Sequence, residues 1–303
     1  MRIHQSKETE RRFIISIALT GMILIAEIVG GIYANSLALL SDAAHVFMDI
    51  FALGLSFFAL KISARPSDDQ HTYGYHRVEV FASLANGLSL LAISIGIVVE
   101  AVDRLRHPLQ VRTTEMLIIA VIGLAVNLAV AFVLGMRDKQ AAPVKRKDLN
   151  VYSAFMHVLG DALSSVGVIA AALIIAFTGA QWVDPVVSFL ISALLLVSSY
   201  RVLRSSLHIL IEGVPEGLSV SEIKNEICCV PSVQAVHDLH VWNICSGTVS
   251  LSAHIVMGCD SRETETQALK QINQMLEEKF AIDHTTIQVE TTADYCSGGV
   301  GCN

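Results

Sequence analysis

Six stretches of about 20 or more mostly apolar residues dominate this chain and leave few folds open to it. They run roughly over residues 12–33, 37–61, 79–103, 114–136, 151–178 and 183–208. A helix rises 1.5 Å per residue, so about 20 apolar residues cross the hydrocarbon layer of a bilayer. In lipid every backbone polar group must be satisfied inside the segment or in a closed barrel, so long unalternating runs are helical. The second, third and fifth runs carry polar residues and are weaker on hydropathy alone. Composition agrees with a membrane protein: 53% of the 303 residues are hydrophobic.

Beyond about residue 212 the character changes. Glu, Lys and Gln return, the apolar runs shorten and periodicity alternates. Residues 1–212 are therefore read as a six-helix transmembrane domain, and residues 213–303 as a soluble domain with a short Cys-containing tail. The soluble part reads α-β-β-α-β. "SVSEIKNEICCV" starts with Ser219 or Ser221 as N-cap and stops at Pro231. "VQAVHDLHVWNI" is rich in β-branched and aromatic residues. "TVSLSAHIVM" alternates, with Leu251, Ala253 and Ile255 on one face and Ser250, Ser252 and His254 on the other. "RETETQALKQINQMLEEKF" is an amphipathic helix with Leu269, Ile272, Leu276 and Phe280 as its stripe, and "HTTIQVE" is a last strand. The expected fold is a polytopic α-helical membrane protein of six transmembrane helices with a two-layer α+β domain behind it.

Lys and Arg placement sets the expected orientation. One side of the membrane carries Arg2, Lys7, Arg11 and Arg12, then Lys61, Arg65 and Arg77, then the basic linker "MRDKQAAPVKRKD", then Arg201 and Arg204. The other side carries Arg104, Arg106 and Arg112. Both termini are expected in the cytoplasm, and no cleaved signal peptide is expected at the short, charged N-terminus. From residue 213 onward there are twelve Asp and Glu against four Lys and Arg, which argues against nucleic acid and suits a domain that attracts cations or is simply soluble. The six cysteines all lie in the soluble part without the spacing of a secreted framework, so thiols in a reducing compartment are expected.

Two membrane helices carry ionisable pairs that lipid disfavours. "SDAAHVFMDI" places His45 and Asp49 four residues apart, and "AFMHVLGDALSS" places His157 and Asp161 at the same spacing. Residues i and i+4 share a helix face. A single His in such a helix is commonly a hydrogen-bond partner for a neighbouring helix. Two His-x-x-x-Asp pairs instead offer two imidazole nitrogens and two carboxylate oxygens, a set that suits tetrahedral zinc or a similar divalent ion. Asp42 is expected at the entrance or behind the ligands. Glu27, Asn86 and Asn127 are expected to join helices through hydrogen bonds.

At these residues the chain resembles the cation diffusion facilitator family, in its bacterial form. The resemblance runs through "SLALLSDAAHVFMDI", "RPSDDQHTYGYHRVEVFASLANG", "HVLGDALSSVGVI", "WVDPVVS", "ILIEGVPEG", "VHDLHVWNICSG" and "HTTIQVE", in order and over almost the whole chain. It implies a homodimer of six-span subunits in the bacterial inner membrane, each with a cytoplasmic ferredoxin-like domain. It implies export of Zn2+, or related Cd2+ or Co2+, in exchange for protons. The transport site it implies is His45, Asp49, His157 and Asp161. His rather than Asp at position 45 resembles the zinc-preferring branch, in line with the softer imidazole.

The resemblance also points to lesser sites. In "DDQHTYGYH", Asp68 and His71 match a loop site of some relatives, Tyr75 replaces the second His, and His76 is one place off. In the soluble domain it suggests His237, His254 and Glu290 as ligands, with Gln288 where some relatives have His. Strand parity adds His284 to the face of Glu290 and places His237 and His240 on opposite faces. Cys296 and Cys302 in "YCSGGVGCN" are candidate thiolates, or part of a frayed terminus. Zn2+ is thus expected both as cargo and as a structural or regulatory ligand of the soluble domain.

Zinc ligands must be deprotonated, so zinc and protons compete for the same side chains, and a site exposed alternately to two faces exchanges one for the other. The sequence has no G-x-x-x-x-G-K-[ST] loop for ATP. A membrane zinc hydrolase would keep an open coordination position, which four ligands close. A membrane metal sensor is the other alternative, and the paired intramembrane residues speak against it.

Overall fold

The computed structural model describes the backbone of residues 2–135, 149–245, 247–258 and 261–291, and the side chains of 18–129, 160, 162–245, 247–258 and 261–290. Six long helices stand over the six apolar runs: α1 (Arg2–Ala34), α2 (Leu37–Ser63), α3 (Arg77–Arg106), α4 (Thr113–Gly135), α5 (Leu149–Thr178) and α6 (Val183–Leu210). Among the described residues, α2, α3 and α6 are long and apolar enough to cross a membrane. The shorter apolar stretches Ala18–Ala34, Thr113–Ala129 and Ala162–Thr178 lie in α1, α4 and α5. Large apolar side chains such as Val99 and Leu194 are more than 60% exposed, the expected state of a lipid-facing surface.

The chain divides into two compact units, 1–53 with 86–200, and 54–85 with 201–303. In the first unit, small residues let helices approach closely. A Cβ on Gly30 of α1 would meet Ile119 Cδ1 of α4, so a larger residue there requires the Ile119 side chain to move. Ser188, Ser192 and Ser199 of α6 are buried, and Ser199 donates to the Gly87 carbonyl of α3 at 2.9 Å. The turn after α1 needs the left-handed backbone of Asn35 (φ 53°), whose carbonyl accepts from Arg104 at 2.8 Å.

Asp184, at the start of α6, holds the start of α2. Its carboxylate accepts from Ser36 Oγ at 2.6 Å and from the backbone N–H of Leu37 and Ala38 at 2.7 and 3.2 Å. The first N–H groups of a helix have no partner inside it, and an anion there also meets the positive end of the dipole. Ser36 Oγ accepts in turn from the Leu39 N–H at 3.2 Å. The "WVD" after the α5–α6 turn thus fixes where α2 begins.

The second unit holds α7 (Val220–Cys228), β1 (Val233–Cys245), β2 (Thr248–Met257), α8 (Arg262–Phe280) and β3 (His284–Thr291), the α-β-β-α-β order expected. Ser219 is the N-cap of α7, and Cys229 its C-cap, two residues before Pro231. The sheet order is β1-β2-β3, with β1 and β2 antiparallel and β2 and β3 parallel. Leu251, Ala253 and Ile255 of the central strand are fully buried, as alternation predicts. They pack on Ile223 and Ile227 of α7 and on Ile272 and Leu276 of α8. Burying each such side chain contributes about 1.5–3 kcal/mol. In α8 the fully buried small residue is Ala268, and the expected Leu269 is only partly buried beside it. The other face of the sheet carries the polar residues.

Candidate metal sites

In the first unit α2 presents His45 and Asp49 one turn apart, with His45 Nε2 and Asp49 Oδ2 separated by 3.8 Å. Two ligands of one tetrahedral zinc, each about 2.1 Å from it, stand roughly 3.4 Å apart, so this pair is close to a bidentate grip. Their side chains are 24% and 34% exposed, accessible rather than sealed. His157 and Asp161 lie on α5, but their side chains are outside the described residues. Asp42 is 3% exposed, and its carboxylate accepts from Ser164 at 2.5 Å and from Ser165 at 3.2 Å. It therefore ties α2 to α5 from a position three residues before His45. Glu27 departs from the expectation of interhelical hydrogen bonds: both its oxygens are buried without a hydrogen-bond partner among the described residues, as is the Oδ1 atom of Asn86.

In the second unit, the loop after α2 folds around Asp68. Asp68 Oδ1 accepts from the N–H of Gln70 and His71 and lies 3.2 Å from His71 Nδ1, while Oδ2 accepts from Tyr75 Oη at 2.7 Å. The Tyr75 hydrogen bond, then the His71 N–H, hold the Asp68 carboxyl down at about 2, and the same bond pushes the Tyr75 phenol up. Asp68 and His71 are brought together as expected. His76 joins no cluster of three ligands with them among the described residues. Tyr75, which replaces an expected histidine, is a structural partner of Asp68.

On the polar face of the sheet, His237 of β1, His254 of β2 and Glu290 of β3 converge. Glu290 spans the two histidines, with Oε2 at 2.9 Å from His237 Nε2 and Oε1 at 2.7 Å from His254 Nδ1. One ligand atom from each lies within 4.8 Å of the others. Burial pushes the Glu290 carboxyl up, but hydrogen bonds from His237 and His254 outweigh it and leave it below its ordinary value. Two imidazoles and one carboxylate, about a third exposed or less, fit a divalent ion with a position left open. His284 shares the strand but not the cluster; its ring lies 5.5 Å from that of Tyr73. Gln288 donates to Glu290 Oε1 at 3.1 Å. Cys296 and Cys302 lie outside the described residues.

One strand-parity expectation is overturned. The register pairs His237 with His254 but His240 with Ser252, so β1 has one residue more than β2 between these pairs. This bulge returns His240 to the face of His237. Asp238 sits in it with a left-handed backbone (φ 48°), its Oδ1 2.9 Å from His240 Nε2 and its Oδ2 3.7 Å from His254 Nε2. The His240 bond is the chief cause of its lowered carboxyl. Asp238 was not among the sequence candidates. The signal was there: Asp is a poor strand former and tolerates the left-handed region, so an Asp inside a β-branched run marks a bulge.

Residues 13–211 match the cation efflux transmembrane domain, and residues 215–292 match the cation efflux protein cytoplasmic domain. The metal cation efflux system protein CzcD of Cupriavidus metallidurans is 43% identical over 281 residues, covering 93% of this chain and 86% of that protein. The cadmium, cobalt and zinc/H(+)-K(+) antiporter of Bacillus subtilis is 38% identical over 99% of this chain and 94% of its own length. The zinc transporter ZitB of Escherichia coli is 38% identical over 92% and 87%. A solved metal-bound C-terminal domain of the CzcD transporter covers 24% of this chain and 99% of that domain at 38% identity, with a TM-score of 0.23. The chain belongs to the cation efflux family, the cation diffusion facilitators, a family of divalent metal cation efflux proteins.

Proposed function

We propose that this chain exports a divalent cation, zinc foremost, in exchange for protons, and that His45, Asp49, His157 and Asp161 hold the ion in transit. The observation that carries the reading is the His45–Asp49 pair at 3.8 Å, on a helix that meets α5 at Asp42. With six spans, α2 and α5 run in opposite directions. Three residues forward from Asp42 is His45; three back from Ser164 is Asp161. Four further steps reach Asp49 and His157. The Asp42–Ser164 bond thus supports a register in which each His stands level with an Asp of the other helix.

Two carboxylates balance the double charge of the ion, and two imidazoles favour zinc over manganese. Loading zinc requires the ligands to shed protons; protonation on the far face weakens their hold. Exchange for two protons is electroneutral, whereas exchange for one moves a net charge at about 2.3 kcal/mol per 100 mV. The subunit is read as six spans with a ferredoxin-like domain on the cytoplasmic side, in a homodimer in the bacterial inner membrane. The His237–His254–Glu290 cluster is read as a structural or regulatory cation site of that domain.

The test is zinc flux into proteoliposomes under an imposed pH gradient. Flux that rises with the gradient and disappears in Asp161→Ala supports the reading; flux indifferent to the gradient sinks proton exchange. The cytoplasmic cluster also supports a second reading, a metal sensor. Full transport by a correctly folded Asp161→Ala protein would favour it.

A further inference from the structure

The first unit contains an ionisable group that the transport site leaves unused. Glu27, in the apolar run of α1, is 1% exposed, and neither carboxylate oxygen has a hydrogen-bond partner among the described residues. The side chain is aimed at α4. A Cβ on Gly123 would lie 2.7 Å from Glu27 Oε1, so the missing side chain there makes the space the carboxyl occupies. Among the described residues, the ionisable ones acting on it are Asp42 and His45 of α2. The only ionisable residue of α4 is Glu115, eight positions and about two turns from Gly123. The other ionisable residue in the described part of α1 is Tyr33, six positions further on, whose ring lies under the Arg112 guanidinium at 4.4 Å.

We propose that Glu27 is a proton-carrying site of this transporter, separate from the four residues that hold the metal. The inference rests on the proton-exchange reading above. Buried polar groups in folded proteins are almost always partnered, and a carboxylate in lipid is kept only where it has a task. A divalent metal needs four or more ligands, and among the described residues Glu27 has no second donor within hydrogen-bonding distance. A proton needs only the carboxyl itself: one O–H bond forms and the negative charge is removed. Asp42 and His45 place this proton within electrostatic reach of the metal site. Zinc arriving at His45 adds positive charge there and favours release of the Glu27 proton; zinc leaving favours its return.

The full-length protein in liposomes, with a pH dye inside and zinc as the transported ion, tests the proposal. Glu27→Gln keeps the shape and hydrogen-bonding capacity of the protonated acid but cannot release a proton. It is expected to bind zinc more weakly than the wild type, since an ionised Glu27 favours bound zinc, and to move about one proton fewer per zinc, with a weaker response to the pH gradient. Glu27→Asp is expected to recover part of that response. A Glu27→Gln protein with the wild-type proton-to-zinc ratio overturns the proposal. A wild-type protein that moves no protons overturns the exchange reading itself, so the two failures are distinguishable. Should Glu27→Gln not fold, infrared difference spectra of the wild type decide. A protonated carboxyl band lost on zinc binding supports the proposal when it moves with 13C-labelled glutamate, and its absence overturns it.

Discussion

The carboxylate of Asp42 on α2 accepts a 2.5 Å hydrogen bond from the hydroxyl of Ser164 on α5. Ser165 adds a second, at 3.2 Å. Hydrogen bonds to charged groups are worth about 1.5–3 kcal/mol, enough to hold two helices in one register. Asp42→Ala is therefore expected to reduce zinc flux by tenfold or more while helix content stays the same. Asp42→Asn, which still accepts from one hydroxyl, should lose less. Flux assays paired with circular dichroism check this; unaltered flux in Asp42→Ala would mean the register is held elsewhere.

Asp184 predicts a stability effect rather than a transport one. It accepts three hydrogen bonds at the start of α2. Asp184→Ala leaves those donors buried and should destabilise the membrane unit by about 2 kcal/mol or more, seen as a lower Tm in detergent. Asp184→Asn should fall between. A wild-type Tm in Asp184→Ala would exclude this capping role.

Exchanging an imidazole for a carboxylate should change the ion rather than the fold. His45→Asp makes the proposed site harder, and harder ligand sets favour manganese over zinc. Zinc and manganese flux measured side by side should shift towards manganese. An unchanged ratio would remove His45 from the ligands.

The cytoplasmic cluster should lose metal one ligand at a time. Glu290→Gln removes the carboxylate that spans His237 and His254 and is expected to weaken zinc binding at that site at least tenfold. Isothermal titration of the full chain should show one class of sites lost and the intramembrane class intact. Loss of both classes would contradict two independent sites.

The loop after α2 carries a pH signature. Asp68 is depressed from 3.8 to about 2, so its contribution to loop order is complete above about pH 4 and is lost as pH falls through about 2. Hydrogen exchange at the Gln70 and His71 amides should show protection at pH 5. The protection should disappear in Asp68→Asn at the same pH, and fast exchange in the wild type at pH 5 would refute the turn.

The six long helices were legible because lipid enforces helix formation locally. Each run of about 20 apolar residues must satisfy its own backbone, and α1 to α6 cover the six runs. The α-β-β-α-β order was legible from the periods of 3.6 and 2, and the alternation of Leu251, Ala253 and Ile255 is the buried face of β2. The pairing of His45 with Asp49 is likewise a property of one helix.

What the sequence left open involves contacts between distant segments. Parity placed His237 and His240 on opposite faces until the bulge at Asp238 reversed it, because one inserted residue shifts every side chain beyond it. Ser164 and Ser165 look like ordinary small residues of a membrane helix until Asp42, 122 residues earlier, receives their hydroxyls. Glu27 reads as one more polar residue joining helices; only the packing of α1 on α4 leaves its carboxyl buried beside Gly123 without a donor among the described residues. Periodicity determines which face of an element is buried. It carries no information about which polar atom of another element meets it, and that was decided by the tertiary structure.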